Sequence, residues 1–308
     1  MISFRFHLVS IVAIFLALGL GVLTGTTVLN RGIVAQLERQ TDQLASQSGE
    51  LRRTVRDLEA ETGVWRQFGE GIMSVVVGDR LEGTDVVVVT QQGSTPDALR
   101  GVRDSLEAAG ASVVGEVVID GRMSLRDQED RSTLAEILGA DSSLAQEELL
   151  LVAADRVANQ LAFGSGGSDD VIQAMSEAGF LSEEREDREG SPVVLPDGRD
   201  AEGPVIVVVG GGGDNPSLDP SAFLVPLVER LVLDGQTVAA SEGTSSEHEF
   251  VTVLRGGEVA DRLVTQDNVD QTPGEVGLVL AIENLVEGGD AGHYGIKSGA
   301  SDLLPELP

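Results

Sequence analysis

An α/β domain behind a membrane anchor and a coiled coil is the architecture that three stretches of this sequence predict. Residues 8–29 (LVSIVAIFLALGLGVLTGTTVL) carry no charge, leucines recur at heptad spacing from residue 37, and beyond residue 84 short β-branched runs alternate with helical stretches. The predicted order is an N-terminal transmembrane helix, a coiled-coil helix, then a mainly parallel β-sheet domain with helices on both faces. The expected boundaries are 1–30 for the anchor, 31–75 for the coil and 76–308 for the α/β domain.

The anchor comes first. At a rise of ~1.5 Å per residue, residues 8–29 make about 33 Å of helix, enough for a hydrocarbon core of ~30 Å. Polar residues flank it, Arg5 and His7 before and Asn30 and Arg31 after. A cleaved signal peptide is the competing reading. Its apolar core runs to only ~7–15 residues and ends at a small-residue A-x-A-like site. Here the run is longer and no such site follows, so the reading is an uncleaved signal-anchor. Gly21 and Gly25 form a G-x-x-x-G, a spacing that lets two membrane helices approach closely; glycine is also simply common in membrane helices.

Leu37, Leu44, Leu51, Leu58 and Trp65 then recur every seventh residue. With these as d positions, the a positions are Val34, Thr41, Ser48, Val55 and Thr62. Apolar d with half-polar a makes a coiled-coil seam in which hydroxyls replace part of the apolar packing. Gly49 and Gly63 weaken it further. The seam serves either a parallel homodimer continuing from the membrane helix or a different protein docking on the leucine stripe.

Residues 69–83 read as a connection into a globular domain. Residues 84–90 (TDVVVVT) are a continuous β-branched run, the pattern of a strand buried on both faces. A helix over 96–109 carries Leu99, Val102 and Leu106 on one stripe, and 111–119 is a second strand, completing a β-α-β unit. Residues 120–131 read as a charged loop. Residues 132–179 read as mostly helical, interrupted at 164–167, and 183–190 (EEREDREG) as a solvated charge run. A second β-α-β unit follows: strand 204–209, a helix with Phe223, Leu227 and Leu231, and strand 236–240. A helix over 273–286 closes the fold before a glycine-rich tail. Such alternation specifies a mainly parallel sheet.

Composition narrows the function. The formal charge is −30, from 21 basic and 51 acidic residues, which opposes nucleic acid and anionic lipid headgroups. There is no cysteine, so disulfides and thiolate chemistry are excluded. A short tail before the span and a large acidic domain after it place the bulk of the chain outside the cytoplasm, anchored by a single pass in the cell membrane.

Candidate sites are few. Gly210, Gly211, Gly212, Gly213, Asp214 and Asn215 follow a buried strand, where an open α/β sheet binds phosphates or other anions. The run lacks the lysine of a phosphate loop, and a tight turn needing positive φ explains it as well. The histidines outside the tail before the span are His248 and His293. They are the candidate metal ligands, since copper sites want thiolate, thioether or imidazole. Residues 247–249 (EHE) put carboxylates beside His248, but adjacent side chains point different ways and make no chelate. No G-x-S-x-G and no nucleophile–base motif is present, which points away from an enzyme.

The opening residues 1–10 (MISFRFHLVS) running into 15–19 (FLALG), the coil after the span, and the ending 292–300 (GHYGIKSGA) then 303–305 (LLP) together resemble the actinobacterial MctB-like copper transporter family. That family includes the SteB cell-separation protein. The resemblance covers essentially the whole chain. It implies a membrane protein of copper homeostasis or efflux with copper as its ligand. For SteB-like members it implies pairing with a SteA-like membrane protein to control peptidoglycan hydrolysis during cell separation.

Overall fold

The computed structural model describes residues 4–164, 170–182, 203–212, 218–246 and 248–306, with the side chains of 26–38 left aside. The expected charge run at 183–190 and the interruption at 165–167 lie outside these residues. Two compact units emerge, Met1–Trp65 and Arg66–Pro308.

The first unit is helical throughout. Helix α1 spans Phe4–Val77; within its Phe4–Gly25 portion the most apolar 18 residues have a mean hydropathy of 2.5, none of them buried. By length and composition this stretch is able to cross a membrane. Its apolar run begins at Leu8, where the sequence places the start of the span, since Arg5 and His7 interrupt the residues before it.

The connection expected over 69–83 starts later than the sequence suggests. Helix α1 continues through Gly69 to Val77, and its last turns belong to the second unit. Val77 is fully buried there, with Met73 and Val76 packed beside it. Gly69 stays within the helix, and the Thr272 side chain occupies the space where a Cβ would be. The chain turns only at Asp79 and Gly83, both at positive φ.

The second unit is built on a seven-stranded sheet of order β3-β2-β1-β4-β5-β6-β7. Its strands are β1 Asp85–Gln91, β2 Ser112–Ile119, β3 Leu181–Ser182, β4 Val205–Val209, β5 Val238–Ser241, β6 Val264–Gln266 and β7 His293–Tyr294. All pairings are parallel except β2 with β3. Between them run α2 Pro96–Ala108, α3 Gln128–Leu138, α4 Gln146–Phe163, α5 Val171–Glu177, α6 Pro220–Leu233, α7 Val251–Arg255 and α8 Thr272–Val286.

The continuous valine runs have a direct physical reason. Val87, Val89, Ile206 and Val208 face a core completed by α3, α4, α5, α6 and α7, while Val86, Val88, Val205, Val207 and Val209 face one completed by α2, α8 and the end of α1. With helices on both sides, alternation has no solvent face to mark. The order reverses between β1 and β4, so the crevice at their carboxyl ends is the topological switch point.

Three elements differ from expectation. The loop read over 120–131 contains a 3-10 turn at Gly121–Ser124 and already enters α3 at Gln128. Strand β6 and helix α7 fill the interval before α8. The glycine-rich tail is not outside the fold: it adds β7 beside β6.

Helix α8 carries one group at odds with its surroundings. The Glu275 carboxylate lies against Gly101 of α2 and is pushed up to about 7, first by burial and then by Asp104, Glu70 and Asp270. A carboxylate in the first turn of a helix ordinarily gains from the dipole; here burial and like charge win. The folded state therefore holds a proton that the unfolded chain releases, and stability falls as pH rises from 4.5 through about 7. Discounted for the partial exposure of the group, the loss is on the order of 1 kcal/mol. Urea unfolding of the chain at pH 5 and pH 8 should show this difference in wild type, and Glu275→Gln should abolish that part of it.

Candidate functional site

At the carboxyl edge of the sheet the strands end in polar residues: Thr90 and Gln91 on β1, Glu242 after β5, and Asp267 and Asn268 after β6, all buried. Parallel strands aim their final carbonyls and side chains at one edge, so charges from distant segments meet there. Two ion pairs dominate. Arg255 Nη1 lies 2.9 Å from Asp267 Oδ2, with both side chains essentially inaccessible. Lys297 Nζ lies 2.9 Å from Glu242 Oε1 and donates to the Gly243 carbonyl at 2.9 Å.

Each charge is held further. Asp267 accepts the amides of Ile296 at 2.7 Å and Lys297 at 3.0 Å. Arg255 donates to Thr265 Oγ1 at 2.8 Å and to the Tyr294 carbonyl at 2.6 Å. Glu242 accepts the Phe250 amide at 3.0 Å. Burial pushes the Glu242 carboxyl up, opposed by Lys297 and by the amides of Phe250 and Val251. A buried charge persists only with such partners.

The glycine run after β4 belongs to this edge. The Phe250 ring fills the space beside Gly210, and the Ser246 hydroxyl with the Glu242 carboxylate fills that beside Gly211, whose φ is +76°. Gly210 donates its amide to the Ser241 carbonyl at 2.8 Å. Gly212 donates to Ser246 Oγ at 3.1 Å, which in turn donates to the His248 carbonyl. These two amides are thus engaged inside the protein, and close packing accounts for the glycines at 210 and 211. Gly213, Asp214 and Asn215 lie outside the described residues.

The two histidines stand apart. His248 lies near Asp219 at the start of α6, whose carboxyl is lowered first by the hydrogen bond it accepts from the Ser221 hydroxyl. His293 lies on β7, its Nδ1 3.0 Å from Thr265 Oγ1. Burial and then the Arg255 charge lower its pKa, against Asp261. Because Thr265 Oγ1 accepts from Arg255, its proton is available to His293 Nδ1, which favours the tautomer protonated at Nε2. Among the described residues no group of three or more His, Asp or Glu side chains is placed to hold one metal ion.

Outside this domain lies the leucine seam. Leu44, Leu51, Leu58 and Trp65 on α1 are each more than half exposed. Leu37 falls among the residues whose side chains are left aside. Gly21 and Gly25 lie exposed in the apolar stretch of the same helix.

The charge cluster went unread in the sequence, although signals for it exist. The residues SEG from the last position of β5 and QDN from the last position of β6 mark polar strand ends, and the single lysine of the chain is Lys297. The segment carrying Lys297 is also part of the ending that resembles the copper transporter family.

Comparison with known proteins agrees with that likeness. The family described as "Copper transport outer membrane protein, MctB" matches residues 1–305. "Copper transporter MctB" of Mycobacterium tuberculosis (strain ATCC 25618 / H37Rv) is 27% identical over 322 residues, covering 98% of this chain and 99% of its own. "Copper transporter MctB" of Mycobacterium leprae (strain TN) is 26% identical over 325 residues, with the same coverage.

The packing at Gly211 makes a prediction. A methyl group there meets both the left-handed backbone penalty and the Ser246–Glu242 contact, so Gly211→Ala should destabilise the domain by about 2–4 kcal/mol. Denaturant midpoints of the two proteins measure it; an unchanged midpoint would mean that the glycine is not required by packing.

Proposed function

The chain belongs to the MctB family, and on that footing we propose that it serves copper transport as a membrane-anchored, non-enzymatic protein. In this reading its α/β domain stands outside the cytoplasm and its copies join through the coil. The observation that carries the reading is the family match over residues 1–305, which takes in anchor, coil and domain together. Copper is then cargo rather than a resident cofactor.

Physical features support the manner of working. Phe4–Gly25 is the one helix stretch among the described residues long and apolar enough to span a bilayer. A single helix encloses no pore, so moving an ion across a membrane requires several copies or another protein. The leucines at 44, 51 and 58 offer an apolar seam in water, where burying such side chains favours association by roughly 1.5–3 kcal/mol each.

A second reading rests on the a positions of that seam. Thr41, Ser48 and Thr62 weaken self-pairing, which favours a different coiled-coil partner. A SteA-like membrane protein would be that partner, and the task would be regulation of peptidoglycan hydrolysis at cell separation.

Deleting the gene in its host separates these. Loss of copper handling should raise cell-associated copper severalfold on copper challenge, measured by mass spectrometry. The wild-type chain should restore it. The Leu44→Asp/Leu51→Asp variant should not, and should lose its cross-linked dimer in detergent. Full restoration by that variant would remove the seam from the mechanism. Unchanged copper with daughter cells left joined would put the second reading in place of the first.

A further inference from the structure

The last stretch of the chain is attached to the domain in an unusual manner. From residue 287 to residue 304 no side chain is fully buried. Ile296 is 59% and Leu303 45% exposed; Tyr294 packs only partly against the core, and Leu304 touches the helix at Gly277. Strand β7 adds just two residues to the edge of β6.

What holds this segment is polar. The Asp267 carboxylate takes the amides of Ile296 and Lys297, Arg255 takes the carbonyls of Tyr294 and Ser298, and Lys297 reaches Glu242 and the Gly243 carbonyl. Within the segment, Ser301 donates to the His293 carbonyl and Gly295 to the Asp302 carbonyl. Residues 293–302 therefore form a small internally bonded loop with its own cohesion. Glycines at positive φ, Gly288 before it and Gly295 and Gly299 within it, mark sharp reversals of the chain.

We propose that residues 292–304, ending before the buried Pro305, form a strap that opens as a unit of its own while the rest of the sheet stays folded. Lys297 is its lock, and opening uncovers Glu242 and Asp267 at the carboxyl edge. Segments with little buried apolar surface open at lower free energy than core strands. The core strands β4 and β5 are buried at every position and remain closed through such an event. Losing the Lys297–Glu242 contact removes a tie of the strap to the turn after β5, whereas the other hydrogen-bonded ties of the strap run to β6, to Asp267 after it and to Arg255 rather than to β4 or β5.

Hydrogen exchange with mass spectrometry on the full chain in detergent tests this. In wild type, peptides covering 293–302 should exchange faster than those of β4 and β5. Lys297→Met should accelerate the strap by about tenfold or more, the scale of a lost charge-assisted hydrogen bond, and leave β4 and β5 unchanged. If Lys297→Met prevents folding, Glu242→Gln/Lys297→Met leaves no buried charge alone and carries the same expectation. Equal acceleration of strap and core strands, or an unaltered strap, would overturn the proposal.

Discussion

Asp267 is charged and wholly buried, and a carboxylate survives that condition only when every lone pair is met. Its partners come from two segments that the chain separates widely: Arg255 at the end of α7, and the amides of Ile296 and Lys297 beyond β7. One side chain thus ties the end of α7 to the chain beyond the final strand. Gly295 is part of that solution, since the Asp267 carboxylate lies where a side chain at 295 would be. Removing Arg255 would leave the Asp267 charge without its cation, whereas loss of the two amides alone would leave that ion pair in place.

The sheet creates the need for this arrangement. Parallel strands covered by helices on both faces bury their side chains along the whole length, as the β1 and β4 runs show. Apolar residues suffice until the strands end. There the last carbonyls and the turns into the next helices bring polar backbone into the interior, and Thr90, Ser241, Gln266 and Asn268 are buried with it. The glycines at 210 and 211 let the turn after β4 press against Phe250 and Ser246.

Much of the fold was legible because its signals are local. The β-branched runs of β1 and β4 and the stripe of α2 each lie within about ten consecutive residues, and β-α-β order follows from their alternation. Strands β6 and β7, with three and two residues, are too short for any period to show. The end of α1 was misplaced because Gly69 reads as a break, whereas Thr272, distant in sequence, makes glycine suitable there. The charge cluster was missed for the same reason. Lys297 and Glu242 stand 55 residues apart and Lys297 and Asp267 30 apart, and no spacing rule connects them. The glycine run follows β4, but only the packing shows what fills the space beside Gly210 and Gly211.

Lys297 carries this reasoning one step further. Of 21 basic Lys and Arg residues it alone is lysine, and composition offers no more than a coding bias as the cause. The site offers a physical one. Between Glu242 Oε1 and the Gly243 carbonyl, each 2.9 Å from Nζ, the acceptors converge on a point. An ammonium meets converging acceptors with three rotatable donors, whereas a guanidinium spreads its donors across a rigid plane suited to a flat, forked partner. Arg255 occupies the complementary situation, with donors spread among Asp267, Thr265 and Tyr294. The two cations divide the edge by shape. The one lysine of a chain that otherwise uses arginine stands where acceptors converge on a compact ammonium.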